Sequence, residues 1–195
     1  MKYIQHDNII GNSYLKRLQT LTQGMNGFPW FFLSEDVAYS SDGIQFGDLK
    51  LLDMPDKQKT VGFTHLLLDQ DGIESPFLPV FQPLLDNIQD RIGYPIEFFR
   101  VRLALQLNNG NGHHNGVHTD NEQDHYAALY YLHDSSGDTV FFNEYDIYPT
   151  KDMMIIFPSW LMHAVGKSSS DEDRISISFN IMAHSDHYHG IYPTR

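Results

Sequence analysis

The pair His118 and Asp120 is the first feature of this sequence that could do chemistry. Only Thr119 separates them, so in an extended segment both side chains leave the backbone on the same face and can hold one metal ion. Alone the pair is a weak signal, because the chain has 11 histidines and a second pair of the same spacing, His184 and Asp186, near its end. Further ligands are needed before the pair predicts a site.

A third candidate ligand is His163, which follows the apolar run 153–157. A lone histidine at a strand end is more often a half-buried hydrogen-bonding residue than a metal ligand. Together with His118 and Asp120, however, it gives two histidines and one carboxylate. In a facial arrangement that set is the ligation of non-haem Fe(II) oxygenases. The three residues therefore predict an oxygen-activating iron centre.

Arg174 opens a stretch in which polar and apolar residues alternate. One predicted face carries Ile175, Ile177, Phe179 and Ile181, and the other carries Arg174, Ser176, Ser178 and Asn180. A solvated edge strand would show the same alternation. In a small barrel, however, a polar face that begins with arginine can line a pocket, where the guanidinium fork matches a carboxylate.

Two amphipathic helices precede these residues. Apolar residues recur at helical spacing over 9–25, with Asn12 or Ser13 as the predicted N-cap. A second helix is predicted from Ser75 as N-cap, with Pro76 at its first position, to a stop at Gly93.

Strand-like segments make up most of the remaining chain. They are predicted at 28–33, 37–39, 61–68, 96–108, 126–132, 139–143, 153–157 and 174–182. Many short strands after two helices predict a sandwich or jelly-roll barrel with the helices on one face. We expect one domain over 1–195, in which 1–95 supports a metal-binding core at 96–183 and 184–195 is a tail.

The amino-acid composition narrows the classes of molecule that this protein can bind. Thirteen basic against 25 acidic residues give a net charge of −12, which repels nucleic acid backbones and anionic membranes. There is no cysteine for a thiolate site, and no apolar N-terminal or membrane-spanning segment is evident. We expect a soluble, intracellular, cytoplasmic protein.

The order of these motifs is His-x-Asp, then a distal histidine, then an arginine about ten residues later. In this order the sequence resembles the Fe(II)- and 2-oxoglutarate-dependent dioxygenases over residues 98–182. It is most similar to the compact prolyl-hydroxylase-like members of phages and bacteria. The resemblance implies a double-stranded β-helix fold, the jelly-roll or cupin-like barrel. It also implies iron bound by His118, Asp120 and His163, and the distal carboxylate of 2-oxoglutarate bound by Arg174.

The same resemblance implies further cosubstrate contacts. In the stretch 130–133, Tyr-Tyr-Leu-His, Tyr131 matches a family tyrosine that reaches this carboxylate, and Ser176 and Ser178 match hydroxyl residues that follow the arginine. The family often has another tyrosine about ten residues before the first ligand. Here Asn108 and Asn109 stand there, which leaves Arg102 or Gln106 to substitute.

The implied activity is hydroxylation of a peptide, amino acid or other small molecule. Fe(II), 2-oxoglutarate and O2 take part, succinate and CO2 are released, and ascorbate is a candidate stimulant. One alternative is oxidative demethylation of nucleic acid, which the acidic charge disfavours. Another is a non-catalytic jelly-roll binding or structural protein whose metal residues are vestigial. The sequence names neither the substrate nor an oligomeric state.

Overall fold

A computed structural model describes residues 3–23, 27–33, 62–107, 119, 125–141, 145–165 and 173–183. Its elements, in chain order, are β1 (Ile4–Asp7), α1 (Asn12–Thr22), β2 (Phe31–Leu33), β3 (Gly62–Leu68), α2 (Leu78–Ile92), β4 (Ile96–Gln106), β5 (Tyr126–Tyr131), β6 (Thr139–Phe141), β7 (Tyr145–Ile147), β8 (Met153–Pro158), β9 (His163–Val165) and β10 (Arg174–Ala183).

The strands form two antiparallel sheets. The major sheet has seven strands in the order β1-β8-β5-β10-β4-β3-β2, and the minor sheet has three in the order β7-β6-β9. Strands that are distant in sequence lie side by side, as in a jelly roll, where chain order and sheet order differ. The prediction of a mainly β jelly-roll fold is confirmed.

One face of the major sheet, the helix face, packs against both helices. Its side chains include Leu103 and Ile177, which share one buried apolar cluster with Leu18 of α1 and Phe81 and Ile88 of α2. Burying an amphipathic helix against a sheet removes apolar surface from water, which is the main favourable contribution to folding. The helices therefore lie on one face, as predicted.

We call the opposite face of the major sheet the inner face. The strand register shows which residues belong to it, because directly paired residues of antiparallel strands point to the same side. Across five strands its members are Met153, Ile155 and Phe157 of β8, Ala127, Leu129 and Tyr131 of β5, Arg174, Ser176, Ser178 and Asn180 of β10, Arg100, Arg102, Ala104 and Gln106 of β4, and Gly62, Thr64 and Leu66 of β3. The alternation predicted from Arg174 onwards is thus observed.

The helix ends differ from the predictions in one respect. Gly93 ends α2 in the left-handed conformation, with φ of 79°, as expected of a C-terminal glycine. The predicted N-caps are wrong, because Gly11 caps α1 and Phe77 caps α2. Ser75 instead forms a turn before α2, in which its Oγ accepts the N–H of Phe77 at 3.2 Å and its carbonyl accepts the N–H of Leu78 at 2.9 Å.

Three short strands, β1, β7 and β9, had no counterpart among the predicted segments. Each has only three or four residues, too few for a period of two to stand out. The predictions at 37–39, 142–143 and 184–195 lie outside the described residues. Among the residues that the structure describes, no helix is long and apolar enough to cross a membrane.

Candidate active site

The structure describes one of the three predicted metal ligands. His163 begins β9 in the minor sheet, whereas His118 and Asp120 lie outside the described residues. Thr119 between them is described, and it is exposed. The gathering of all three ligands therefore stays a prediction, and the geometry of the site is built from His163 and its surroundings.

His163 is held in a position that suits a metal ligand. Its side chain is buried, and its ring packs against Phe157 at 4.9 Å and Phe141 at 5.9 Å between centroids. Its Nδ1 lies 3.0 Å from the carbonyl oxygen of Leu161. A carbonyl only accepts, so Nδ1 carries the hydrogen, which in a neutral imidazole leaves the lone pair on Nε2. Metal-binding histidines are commonly oriented by such a bond from the second ring nitrogen, so His163 fits the expected metal.

Arg174 is a buried cation surrounded by neutral acceptors. It is 4% exposed, and its Nη1 donates to the carbonyls of Asp138 at 2.8 Å and Gly137 at 3.2 Å. Its Nη2 donates to Thr139 Oγ1 at 2.7 Å. Burial lowers the pKa of Arg174, an effect that Tyr131 and Asp138 oppose, yet arginine stays protonated in proteins.

No carboxylate in the described parts of the chain forms a salt bridge with Arg174, and its buried Nε has no hydrogen-bond partner there. A buried charge without a counter-ion is strongly unfavourable. The arrangement therefore fits a site that receives an anion.

Tyr131 lies beside this guanidinium at the end of β5. Its ring centroid is 5.1 Å from Arg174 Cζ, and its hydroxyl is 2.8 Å from Thr139 Oγ1. Burial raises the pKa of Tyr131, so the phenol is neutral and can donate a hydrogen bond at neutral pH. Tyr131, Thr139 and Arg174 thus form one polar cluster, and Thr139 is a member that the sequence did not single out.

The polar cluster and His163 line the same space between the sheets. On β6, Thr139 touches Arg174 while Phe141 pairs with His163, and these two residues of β6 point to the same side. Two residues along a strand span about 7 Å. The proposed metal end and the arginine end are therefore separated by a distance that suits a short dicarboxylate.

The two serines of β10 occupy neighbouring positions of the inner face. Ser176 pairs with Tyr131 on one side and Ala104 on the other, which places it next to the polar cluster. Ser178 lies one level further along and donates to the carbonyl of Arg102 at 3.3 Å. Ser176 is thus near the arginine end, whereas the Ser178 hydroxyl is engaged with the backbone.

A buried polar pair that sequence reasoning missed lies beyond these serines. Asn180 Nδ2 and His125 Nε2 are 2.6 Å apart, and the ring of His125 packs edge-on against Phe99 at 5.1 Å. The two residues are 55 positions apart in the chain. No spacing rule relates them, so only the pairing of β5 with β10 reveals the contact.

A cavity of about 390 Å³ opens on the other side of the sheet. Its lining includes Trp30, His133 and Asp173 together with Leu105 and Ile175. Leu105 and Ile175 point to the helix face, opposite to Arg174 and Gln106. This cavity is therefore separate from the site built around His163 and Arg174.

Comparison with known proteins gives the following similarities. Residues 107–180 match a family model described as "Putative 2OG-Fe(II) oxygenase", where 2OG stands for 2-oxoglutarate. That range contains His118, Asp120, His163 and Arg174. The search of the curated proteins found no match.

Among solved structures, a 2OG-Fe(II) oxygenase family oxidoreductase from Burkholderia pseudomallei is 13% identical, with 94% of this chain and 86% of that chain covered and a TM-score of 0.65. A Pseudomonas putida prolyl-4-hydroxylase is 12% identical, with 94% and 93% covered and a TM-score of 0.57. A Trichoplax adhaerens prolyl hydroxylase in complex with a hypoxia-inducible-factor peptide is 15% identical, with 93% and 83% covered and a TM-score of 0.61. The fold is that of these proteins.

Proposed function

We propose that the chain is a 2OG-Fe(II) oxygenase, an oxidoreductase that uses Fe(II), 2-oxoglutarate and O2, and that it hydroxylates a peptide, amino acid or other small molecule. The family-model match over residues 107–180 and the shared fold support this proposal. Succinate and CO2 are the co-products. The observation that carries the proposal is the buried Arg174 guanidinium, which has only neutral partners among the described residues and lies near His163.

Three side chains would hold the iron: His118, Asp120 and His163. The bond from His163 Nδ1 to Leu161 fixes the ring so that Nε2 is the ligating atom. When bound, the iron and 2-oxoglutarate together activate O2 and supply the oxidising power for hydroxylation. The chain's own contribution is to orient these groups and to keep competing reactions out.

The cosubstrate would be held by Arg174, with Tyr131, Ser176 and Ser178 beside it. The guanidinium would bind the distal carboxylate, and the neutral Tyr131 phenol would donate to the same group. Gln106 pairs directly with Arg174 across the strands and has a buried side-chain oxygen without a partner among the described residues. Since amide nitrogen and oxygen positions are interchangeable by a flip, Gln106 can present an N–H to this carboxylate.

Apolar residues would exclude water from the reaction. Leu129, Ile155 and Phe157 of the inner face are buried in one cluster with Phe141 of the minor sheet. Such a wall strengthens the polar contacts that a bound anion makes, because the local dielectric constant is low. We propose that residues 96–183 form this working core, with 1–95 as support and 184–195 as a tail within a single domain.

Charge and similarity favour a small or peptidic substrate. The net charge of −12 opposes the approach of nucleic acid. One structural relative is a prolyl hydroxylase with a bound peptide, which is a precedent for peptide substrates in this fold.

The ligand assignment is tested by anaerobic titration of the protein with Fe(II) and then with 2-oxoglutarate. We expect His118→Ala and Asp120→Ala to lose iron binding and 2-oxoglutarate turnover, because a site with two protein ligands is incomplete. His184→Ala and Asp186→Ala are matched controls with the same residue types and spacing, and they should bind iron normally. Unchanged iron affinity in the first two variants would reject the assignment.

Arg174→Ala separates cosubstrate binding from metal binding. We expect it to bind Fe(II) normally but to need much more 2-oxoglutarate, because the distal carboxylate loses its charged partner. An unchanged 2-oxoglutarate requirement would remove Arg174 from this role. Succinate release over a panel of amino acids, peptides and oligonucleotides then identifies the substrate class.

A further inference from the structure

The inner face has a charge opposite to that of the whole chain. Between Arg174 and Asn180 of β10 and along the facing residues of β4, it carries Arg100, Arg102 and Arg174 and no carboxylate. The chain as a whole has 13 basic and 25 acidic residues. Chance placement would favour acidic residues, so a basic inner face indicates that this surface meets anions.

Among the described residues, the nearest acidic groups on this side of the sheet do not pair with Arg100. Glu97 lies beyond a β-bulge in the β4–β10 pairing and is exposed. Asp7 belongs to the edge strand β1, four strands from β4 in the sheet, and is also exposed. Within the described parts of the chain, neither carboxylate forms a salt bridge with Arg100.

Arg100 and Arg102 are far from the carboxylate site of Arg174. Arg174 pairs with Gln106, whereas Ser178 pairs with Arg102 and Asn180 with Arg100. Ser178 and Asn180 are four and six residues from Arg174, so along the strand direction Arg102 lies about 13 Å and Arg100 about 20 Å from the backbone of Arg174. At its backbone position, Arg100 is too distant to share a single carboxylate with Arg174.

Arg100 is instead level with the proposed metal ligand. One cross-strand row runs from Phe157 through Ala127 and Asn180 to Arg100. The His163 ring packs on Phe157, the first member of this row, at 4.9 Å. Three inter-strand spacings, about 14 Å in total, separate Arg100 from Phe157 along this row. An anion bound by Arg100 would therefore lie across the inner face from His163, at a distance that the rest of a substrate molecule can span.

We propose that Arg100, supported by Arg102, binds a side-chain carboxylate of the primary substrate. The substrate is then an amino acid with an acidic side chain, or a peptide with an acidic side chain near the hydroxylated carbon. This inference rests on the proposed function and makes its substrate class specific. Arg100 is half-buried, and a guanidinium binds a small planar anion in a bidentate manner. An exposed surface would suit a long polyanion better.

The buried pair of His125 and Asn180 stabilises the same end of the site. Asn180 is the direct neighbour of Arg100, and its amide is held by the 2.6 Å contact with His125. A fixed amide beside the guanidinium gives the bound group a defined orientation.

The test uses matched pairs of compounds with the intact protein loaded with Fe(II) and 2-oxoglutarate. The pairs are glutamate and glutamine, aspartate and asparagine, and short peptides that differ only in Glu against Gln. We expect succinate release to be stimulated by the carboxylate member of at least one pair and at least tenfold less by its amide. An oligonucleotide is included as a competitor class.

Arg100→Gln and Arg102→Gln should raise the KM for the stimulating compound at least tenfold, with a smaller effect on kcat. Calorimetric titration of the Mn(II)- and 2-oxoglutarate-loaded protein with the same compound should show the same loss of affinity without turnover. 2-Oxoglutarate affinity should stay within about twofold. Arg17→Gln, an exposed arginine of α1, is the control and should change neither value.

Three outcomes would overturn the inference. Stimulation by amides as strong as by carboxylates, or by the oligonucleotide alone, would reject the substrate class. Loss of 2-oxoglutarate binding in Arg100→Gln would assign this arginine to the cosubstrate. In all three cases the unaltered protein still binds Fe(II) and 2-oxoglutarate, so the proposed function survives. Failure of the unaltered protein to bind either would reject both.

Discussion

At the scale of single residues, Thr139 connects the two groups that would hold the cosubstrate. Its Oγ1 accepts from Arg174 Nη2 at 2.7 Å and lies 2.8 Å from the Tyr131 hydroxyl. A threonine hydroxyl has one hydrogen and two lone pairs. If Thr139 donates its hydrogen to Tyr131, the phenol hydrogen is directed to a bound anion. One hydroxyl thus orients both an arginine and a tyrosine.

Thr139→Val keeps the shape of this residue and removes its hydroxyl. We expect 2-oxoglutarate affinity to fall roughly tenfold, because about 1.4 kcal/mol corresponds to one or two lost hydrogen bonds. Thr139→Ser should retain most of the affinity. The measurement is calorimetric titration of the Mn(II)-loaded protein with 2-oxoglutarate. Equal affinity in the valine and serine variants would show that Thr139 does not orient the cluster.

At the scale of elements, Asp152 joins three parts of the fold. Its Oδ1 accepts from the N–H of Ile10 at 3.0 Å and from the Tyr130 hydroxyl at 2.9 Å. Its own N–H donates to the carbonyl of Tyr131 at 2.9 Å, and its backbone has a positive φ of 61°. The segment before α1, the strand β5 and the turn into β8 are therefore fixed by one buried residue.

Replacing Asp152 should destabilise the whole fold. We expect Asp152→Ala to lower the free energy of unfolding by about 2–4 kcal/mol, because two buried donors lose their acceptor and alanine tolerates positive φ poorly. Asp152→Asn keeps an acceptor and tolerates this backbone conformation, so it should cost less. Urea unfolding measures both, with the exposed Asp146→Ala as control. A similar loss in the Asp152→Ala and Asp146→Ala variants would contradict this account.

At the scale of the whole molecule, one buried and one half-buried tyrosine link stability to alkaline pH. Burial raises the pKa of Tyr14 to about 12. Burial and then the charge of Asp152 raise the pKa of Tyr130 as well. In the unfolded chain a tyrosine titrates near 10. The folded state therefore holds these protons more tightly, and their contribution to stability is complete below pH 10 and is lost as pH rises above it.

We expect the free energy of unfolding to fall steeply above about pH 10. Tyr130→Phe should make this alkaline decline shallower, because the buried proton is no longer involved. Tyr148→Phe, at a residue that is 62% exposed, should leave the decline unchanged. Denaturant unfolding at a series of pH values tests this, and an identical alkaline decline in all three proteins would refute the assignment to Tyr130.

The sequence by itself determined which residues share a face and which pattern could bind metal. Alternation from Arg174 to Ile181 is a local property of an extended chain, so the polar side of β10 could be predicted before any partner strand was known. The left-handed conformation of Gly93 at the end of α2 could be predicted as well, because it also depends only on the local sequence. The grouping of His118 and Asp120 with His163 rests on residue types and order, and it stays a prediction.

Only the tertiary structure decided which side chains meet. Thr139 reaches Arg174 across 35 positions of sequence, and Asp152 reaches Ile10 across 142. Ser75 lost its predicted capping role because the turn before α2 placed Phe77 there instead. Strand order in a jelly roll brings distant segments together, and neither periodicity nor spacing carries that order. The polar cluster at Arg174 and the basic inner face are therefore properties of the packed sheets rather than of any single segment.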